Sequence, residues 1–112
     1  MSTATYDIKK SRVKEDQLAA FIMDELVGDL QSVPGIGPTT ERQLKDAGID
    51  DTFMLLGKFL MCRKEGCNRQ DMCNEFVEFL QKVGVTGFRC GITTCICEKA
   101  AVSVAGLFEE ED

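Results

Sequence analysis

Two glycines around one isoleucine, Gly35-Ile36-Gly37, form the segment with the clearest chemistry, and prolines flank them on both sides. Glycine lacks a side chain, so an outside group can come close to the backbone of such a turn. Proline suits the first position of a following helix because its missing N–H costs nothing there. The amides of the turn and of that helix start then attract an anion, most naturally a phosphate. We expect Ile36 to fill the core and hold the turn.

The residues after the turn add donors and charge to this phosphate hypothesis. Thr39 offers a hydroxyl, and Arg42 adds a positive charge about one turn further on. Contacts of this kind read the sugar–phosphate backbone and not the bases. The spacing of Leu44 and Leu56 around Gly48-Ile49 completes a helix-hairpin-helix unit, which favours the phosphate interpretation.

The six residues Val33–Pro38, which contain the hairpin, are also typical of a sharp corner between two helices that binds nothing. In that interpretation glycine supplies a positive φ and proline starts the next helix. The acidic residues Asp24, Glu25, Asp29 and Glu41 favour it, although Glu41 also suits the helix dipole. The hairpin alone therefore leaves both interpretations open.

The cysteines do not form a recognisable site. There are six cysteines and no histidine, and no two cysteines are spaced as CxxC. Their spacings fit no standard zinc motif, so we expect no metal site and interpret them chiefly as small buried hydrophobes. A redox or metal role for several of them and a disulfide framework stay open as alternatives. With no Ser/His/Asp set and no phosphate-binding Walker loop, we expect no catalytic residues, no cofactor and no small-molecule substrate.

Apolar periodicity predicts an all-α fold of five short helices. The predicted helices cover about 11–27, 38–47, 51–60, 69–83 and 88–106, and few residues separate them. Asp50 or Asp51 is expected to cap the third helix, and Asn68 with Asp71 to cap the fourth. The last segment contains the β-prone run Ile92–Ile96, but no other part of the chain offers it a strand partner.

Length and charge indicate one globular domain in 112 residues with a net charge of −6. We divide the chain into a flexible N-terminus (1–10), a helical domain (11–108) and an acidic tail (109–112). No apolar segment is long enough for a membrane span or a signal peptide, so we expect a soluble intracellular protein. The basic cluster Lys9–Lys14 is interpreted as a solvated terminus, with a DNA-contacting arm and a nuclear-import signal as alternatives.

The stretch Val27–Leu60, VGDL…GIG…L…GI–DDTFMLLGKFL, resembles the barrier-to-autointegration factor family, and a weaker likeness extends over about residues 14–108. The resemblance implies a homodimer that binds double-stranded DNA without sequence preference and bridges two duplexes. It also implies a nuclear and cytoplasmic location, a role in chromatin and nuclear organisation, and a groove for LEM-domain proteins of the nuclear membrane.

The resemblance also implies two sets of site residues. The nucleic-acid-binding set is Lys14, Gly35, Ile36, Gly37, Thr39, Arg42, Thr86, Gly87 and Arg89. The dimer and partner surface is Leu56, Gly57, Leu60 and Met61.

The chain also departs from the family pattern. Gln31-Ser32-Val33 is extra before the hairpin, and the Cys62–Cys73 region is longer. These departures weaken the LEM-domain expectation most. The acidic net charge motivates an alternative function, a protein-interaction adaptor of the same fold that has lost DNA binding.

Overall fold

A computed structural model describes residues 5–108, and the predicted all-α fold is confirmed. Within this range the five helices are α1 (Glu15–Met23), α2 (Pro38–Asp46), α3 (Thr52–Leu60), α4 (Arg69–Lys82) and α5 (Arg89–Ser103). Short 3-10 turns occupy Ile8–Lys10 and Leu30–Ser32. Residues 1–4 of the assigned N-terminal segment and all of the assigned acidic tail (109–112) lie outside the described residues.

The last helix, α5, lies at the centre of the fold and packs against α1, α3 and α4. Nearly every residue of its first three turns is buried, from Gly91 to Cys97. A helix that is buried on most of its faces belongs inside a bundle, which explains why the β-prone run around Ile92 and Ile96 is helical here. Burial on several faces outweighs local β-propensity in this segment.

The core between α3 and α4 is aromatic. Phe59 and Phe76 meet edge-to-face, with their ring centroids 5.5 Å apart and an interplanar angle of 78°. Aromatic pairs favour this geometry because the positive ring edge faces the negative ring face. Leu44, Leu55 and Leu80 are also fully buried and connect this pair to the rest of the core.

The starts of α3 and α4 are closed by the predicted side-chain caps. Asp51 accepts a hydrogen bond from the amide of Met54 at 2.8 Å. Asn68 and Asp71 form a reciprocal capping box, each side chain accepting from the other's amide. Both caps consume amide donors that a helix start otherwise leaves free.

The first helix is shorter than the predicted 11–27, and α5 supplies the reason for its early end. The ammonium of Lys99, only 6% exposed, donates to the carbonyl oxygens of Phe21, Ile22 and Asp24. These carbonyls lie at the end of α1, where helical backbone acceptors have no intrahelical donor. Lys99 thus joins the end of α1 to the C-terminal half of α5.

No helix within the described residues is both long enough and apolar enough to cross a membrane.

Candidate nucleic-acid interface

The Gly-Ile-Gly segment forms a tight hairpin between the Leu30–Ser32 turn and α2. Gly35 has φ +98°, which lies in the left-handed region that glycine adopts without strain. Ile36 is 4% exposed, so its side chain fills the core as the sequence predicts. Its amide donates to the carbonyl of Val33 at 3.0 Å and is already used within the hairpin.

Four other amides around the hairpin have no acceptor among residues 5–108: those of Gly35, Gly37, Thr39 and Thr40. Gly37 occupies the N-cap of α2 and has no side chain with which to cap the helix. The starts of α3 and α4, in contrast, are closed by carboxylate and amide side chains. The start of α2 is therefore an open cluster of backbone donors with the positive end of a helix dipole behind it.

The start of α5 lies directly against this hairpin. A Cβ placed on Gly35 would come within 3.3 Å of Cβ of Phe88 and of Cγ1 of Ile92. Phe88 is the N-cap of α5 and makes no side-chain capping bond. The side-chain amide of Gln43, on α2, donates to the carbonyl of Gly84 at 2.9 Å and fastens α2 to the loop before α5. Two uncapped helix starts thus share one corner of the molecule.

A cleft of about 400 Å³ opens beside the start of α5. Three cationic side chains, those of Lys10, Arg12 and Arg89, line it. The other lining residues are Thr86, Gly87, Phe88 and Cys90. The guanidinium of Arg89 also donates to the carbonyl of Val85 at 2.7 Å, which holds the side chain at the cleft wall. This part of the surface is positively charged although the whole chain is acidic.

The segment before α1 places Lys10 and Arg12 at the cleft. It can pack closely against α5 because Gly91 has no side chain. A Cβ on Gly91 would come within 2.5 Å of the backbone oxygen of Ser11. Further along, the hydroxyl of Tyr6 and that of Thr94 share a hydrogen bond of 2.6 Å. Because of these contacts, residues 6–12 lie along α5.

The comparisons with known proteins agree with the resemblance seen in the sequence. A family model described as "Barrier to autointegration factor" matches residues 13–98, which is more than half of the chain. The chain belongs to the barrier-to-autointegration factor family. The barrier-to-autointegration factor 1 of Caenorhabditis elegans is 37% identical over 65 residues, which cover 55% of this chain and 65% of that relative. The chain thus spans slightly less than two thirds of this relative's length. No solved structure matches the chain.

Most of the predicted nucleic-acid-binding residues lie at the shared corner, the part of the surface where the starts of α2 and α5 meet. Gly35, Thr39 and Arg42 are exposed around the start of α2, and Thr86 and Gly87 are exposed just before α5. Lys14 is also exposed, at the N-cap of α1, but it is not among the residues that line the cationic cleft. As DNA contacts, these residues stay predictions.

Four further residues shape the corner and are not among the predicted site residues: Lys10, Arg12, Phe88 and Gly91. The basic cluster pointed to the first two, but it was interpreted mainly as a solvated terminus. Phe88 and Gly91 gave no local signal, because their importance comes from packing between distant parts of the chain.

Acidic residues also lie near the hairpin, one in the first turn of α2 and two in a groove beside α1. Glu41 accepts from the side chain of Gln31 at 2.8 Å and pairs with Lys45 at 3.3 Å, and these hydrogen bonds lower the pKa of its carboxyl group. Asp24 and Glu25 line a separate groove of about 490 Å³ between α1 and the chain around Pro34. An anionic ligand is therefore favoured on the Phe88 side and repelled on the α1 side.

Three of the predicted dimer and partner residues lie on α3, and the fourth, Met61, is its C-cap. Met61 is 75% exposed, and Leu56, Gly57 and Leu60 are half-buried. Phe53, another exposed apolar residue, lies one turn before Gly57 on the same helix. Together they form an apolar stripe that the described part of the chain leaves partly uncovered.

Four of the six cysteines behave as core residues and not as nucleophiles in this geometry. Cys62, Cys73, Cys95 and Cys97 are buried. Burial raises the pKa of the Cys62 and Cys95 thiols to about 12, and a hydrogen bond with Cys97, together with burial, raises the pKa of Cys73 as well. A raised pKa keeps a thiol protonated and unreactive. Among the described residues, no group of three metal-ligating side chains could hold a metal ion.

Proposed function

We propose that this chain is a non-catalytic protein that binds double-stranded DNA through the sugar–phosphate backbone, without sequence preference. The observation that carries the proposal is the shared corner, where the uncapped starts of α2 and α5 adjoin a cationic cleft. Membership of the barrier-to-autointegration factor family supports the same function.

In the proposed mechanism, main-chain amides bind a DNA phosphate by donating hydrogen bonds to it. The amides of Gly35, Gly37 and Thr39 donate to phosphate oxygens of one strand, and the helix dipoles of α2 and α5 stabilise the bound charge. Lys10 and Arg12 add longer-range attraction from the neighbouring cleft. Backbone contacts carry no base information, so affinity is uniform across sequences. Each neutralised phosphate contributes about −0.9 to the slope of log affinity against log salt.

Dimerisation completes the proposed activity. The apolar stripe on α3, with Leu56, Gly57, Leu60 and Met61, is the surface we assign to a second copy of the chain. A dimer carries two phosphate sites and so bridges two duplexes. The second binding event then profits from a raised effective concentration. Sizing the protein alone and with a short duplex across a salt series measures dimerisation and bridging together.

A role in chromatin and nuclear organisation, with a nuclear and cytoplasmic location, follows from the family and is part of the proposal. Contact with LEM-domain-like proteins of the nuclear membrane is proposed on the same basis, at the surface formed by the α3 stripe. Imaging of a tagged chain in cells tests the location. Co-purification with a LEM domain tests the partner. Sizing of a Met61→Asp variant shows whether a loss of co-purification is accompanied by a loss of the dimer.

The sharpest test of DNA binding is the substitution Gly37→Glu. The Gly37 φ of −102° is ordinary, and a Cβ there has no heavy atom within 4 Å, so the fold tolerates a side chain. The new carboxylate faces the amides that we assign to phosphate. We expect a gel shift at low salt to show a complex with wild-type protein and none with Gly37→Glu.

The matched control is Gln81→Glu, which makes the same charge change at an exposed position near the end of α4. This variant should bind DNA as the wild type does. Equal loss in both variants would mean that net charge alone governs binding and that the hairpin is not the site.

The adaptor alternative draws support from the acidic groove lined by Asp24 and Glu25. It predicts a folded dimer that retains no DNA at any salt concentration. A wild-type protein without a low-salt DNA complex would favour this alternative over the proposal.

A further inference from the structure

We propose that Phe88 is a further DNA-contacting residue, whose ring packs against the deoxyribose next to the phosphate held by the hairpin. The inference rests on the proposed DNA binding and deepens it, because it adds an apolar contact to a site otherwise built from amides and cations. No sequence motif singles out Phe88; its place in the fold does.

The position of Phe88 is unfavourable for a phenylalanine in a merely structural role. It is 55% exposed, and its φ of +58° places a non-glycine residue in the left-handed region. It also occupies a helix N-cap, where Ser, Thr, Asp or Asn would satisfy an amide and Phe satisfies none. The left-handed φ and the missing cap each lower stability, and strained residues of this kind tend to occur at functional sites.

The ring lies at the centre of the shared corner. Its Cβ packs against Gly35 on one side, and its Cδ1 lies 3.7 Å from the position of a Cβ on Gly91 on the other. Lys10, Arg12 and Arg89 line the same cleft as the exposed part of the ring. When the amides of Gly35 and Gly37 hold one phosphate of a DNA strand, the neighbouring part of that strand's backbone therefore lies against the Phe88 ring.

The next part of a DNA backbone after a phosphate is a sugar. Deoxyribose offers an apolar carbon surface at every nucleotide, so contact with an aromatic ring is independent of sequence. Burying that surface gives a binding contribution that salt does not screen. Such a contribution suits a chain with a net charge of −6, for which long-range attraction to DNA is confined to one cleft.

The first experiment measures DNA affinity of Phe88→Ala over a range of salt concentrations. We expect affinity to fall about 3- to 10-fold at every salt concentration, as the loss of a partly buried ring requires, while the salt slope stays unchanged. Val102→Ala is the control, since Val102 is also exposed and lies about 20 Å away along α5. It should leave both quantities unchanged.

Two outcomes of this experiment would overturn the inference. Unchanged affinity in Phe88→Ala would show that the ring makes no contact. A shallower salt slope would show that Phe88 acts by positioning the amides or Arg89. Phe88→Leu guards against a folding defect, because it retains an apolar side chain and should keep most of the affinity and the thermal unfolding midpoint.

The second experiment uses fluorescence, because the chain contains no tryptophan. In Phe88→Trp the single indole should change its emission when a short duplex is added, whereas the indole of Val102→Trp should not. An unchanged Phe88→Trp signal in a sample that does bind DNA would reject the contact. If wild-type protein binds no DNA, the proposed function fails first, and this outcome differs from any result obtained with Phe88 variants.

Discussion

At the scale of single residues, the six cysteines separate into two groups by their surroundings. Cys67 and Cys90 are half-buried, while the other four are buried. We expect a thiol reagent at pH 8 to label Cys67 and Cys90 within minutes, and the buried four only after unfolding, since their thiols are shielded and Cys62, Cys73 and Cys95 have raised pKa values. Counting labelled sites by peptide mass spectrometry, with and without denaturant, checks this.

Cys90 also reports on the proposed site, because it lines the cationic cleft and Cys67 does not. Bound DNA should slow the labelling of Cys90 several-fold and leave that of Cys67 unchanged. Cys67 thus serves as an internal control in the same sample. Equal protection of both cysteines, or of neither, would contradict the placement of DNA at this cleft.

Local chemistry explains which residues of the site the sequence could predict. Glycine and proline impose their own backbone preferences, so the hairpin and the buried Ile36 were predictable from a few neighbouring residues. Lys10, Phe88 and Gly91 were not. The roles of Lys10 and Gly91 depend on the chain before α1 crossing the start of α5, a contact between residues some eighty positions apart. The role of Phe88 depends on its contact with Gly35, which is also distant in the sequence.

At the scale of elements, the hairpin glycines should respond differently to the same substitution. Gly35→Ala places a side chain at φ +98° and against Phe88, so we expect a loss of about 1–2 kcal/mol in the free energy of unfolding. Gly37→Ala meets no neighbour within 4 Å and loses only the preference for glycine over alanine at a helix N-cap, so it should cost less, about 0.5 kcal/mol. Urea unfolding curves compare the two. Equal costs would show that the contact between the hairpin and α5 is not as tight as described.

The contact between the end of α1 and α5 depends on Lys99. Lys99→Met leaves the carbonyls of Phe21, Ile22 and Asp24 without this donor, and we expect a loss of about 2–4 kcal/mol. Hydrogen exchange should show the largest loss of protection in α1. The control is Lys45→Met, which removes an exposed pair with Glu41 and should cost less than about 1 kcal/mol. Uniform loss of protection across all helices would contradict a local contact.

Helix boundaries show where sequence patterns stop being informative. The pattern of α1 continues through Leu26, yet the helix ends at Met23 because a lysine 76 positions later binds its last carbonyls. The caps of α3 and α4 were predictable because Asp51 and Asn68 act on amides only three residues away. A cap formed by a residue three positions away can be predicted from the sequence. A helix end that depends on a side chain distant in the sequence cannot.

At the scale of the whole molecule, buried thiols and the single tyrosine make stability fall at alkaline pH. Burial raises the pKa of Cys62 and Cys95 from 9.0 to about 12, and that of Tyr6 from 10.0 to about 12. The folded state therefore holds these protons more tightly than the unfolded state does. Their contribution is fully present below pH 9 and is lost as the pH rises towards 12.

We expect the free energy of unfolding to fall by several kcal/mol between pH 8 and pH 11, with about 7 kcal/mol as the upper limit that the three pKa shifts set, measured by urea titration with a reductant present. In Cys62→Ala one of the titrating thiols is gone, so the fall should be smaller even if stability at pH 8 is lower. A second readout is the ultraviolet absorbance of tyrosinate, because Tyr6 is the only tyrosine in the chain. In the folded protein its ionisation should lag behind that of the urea-unfolded chain. Identical titration of folded and unfolded protein would mean that Tyr6 is solvated, and that the chain before α1 does not lie along α5 as the Thr94 hydrogen bond requires.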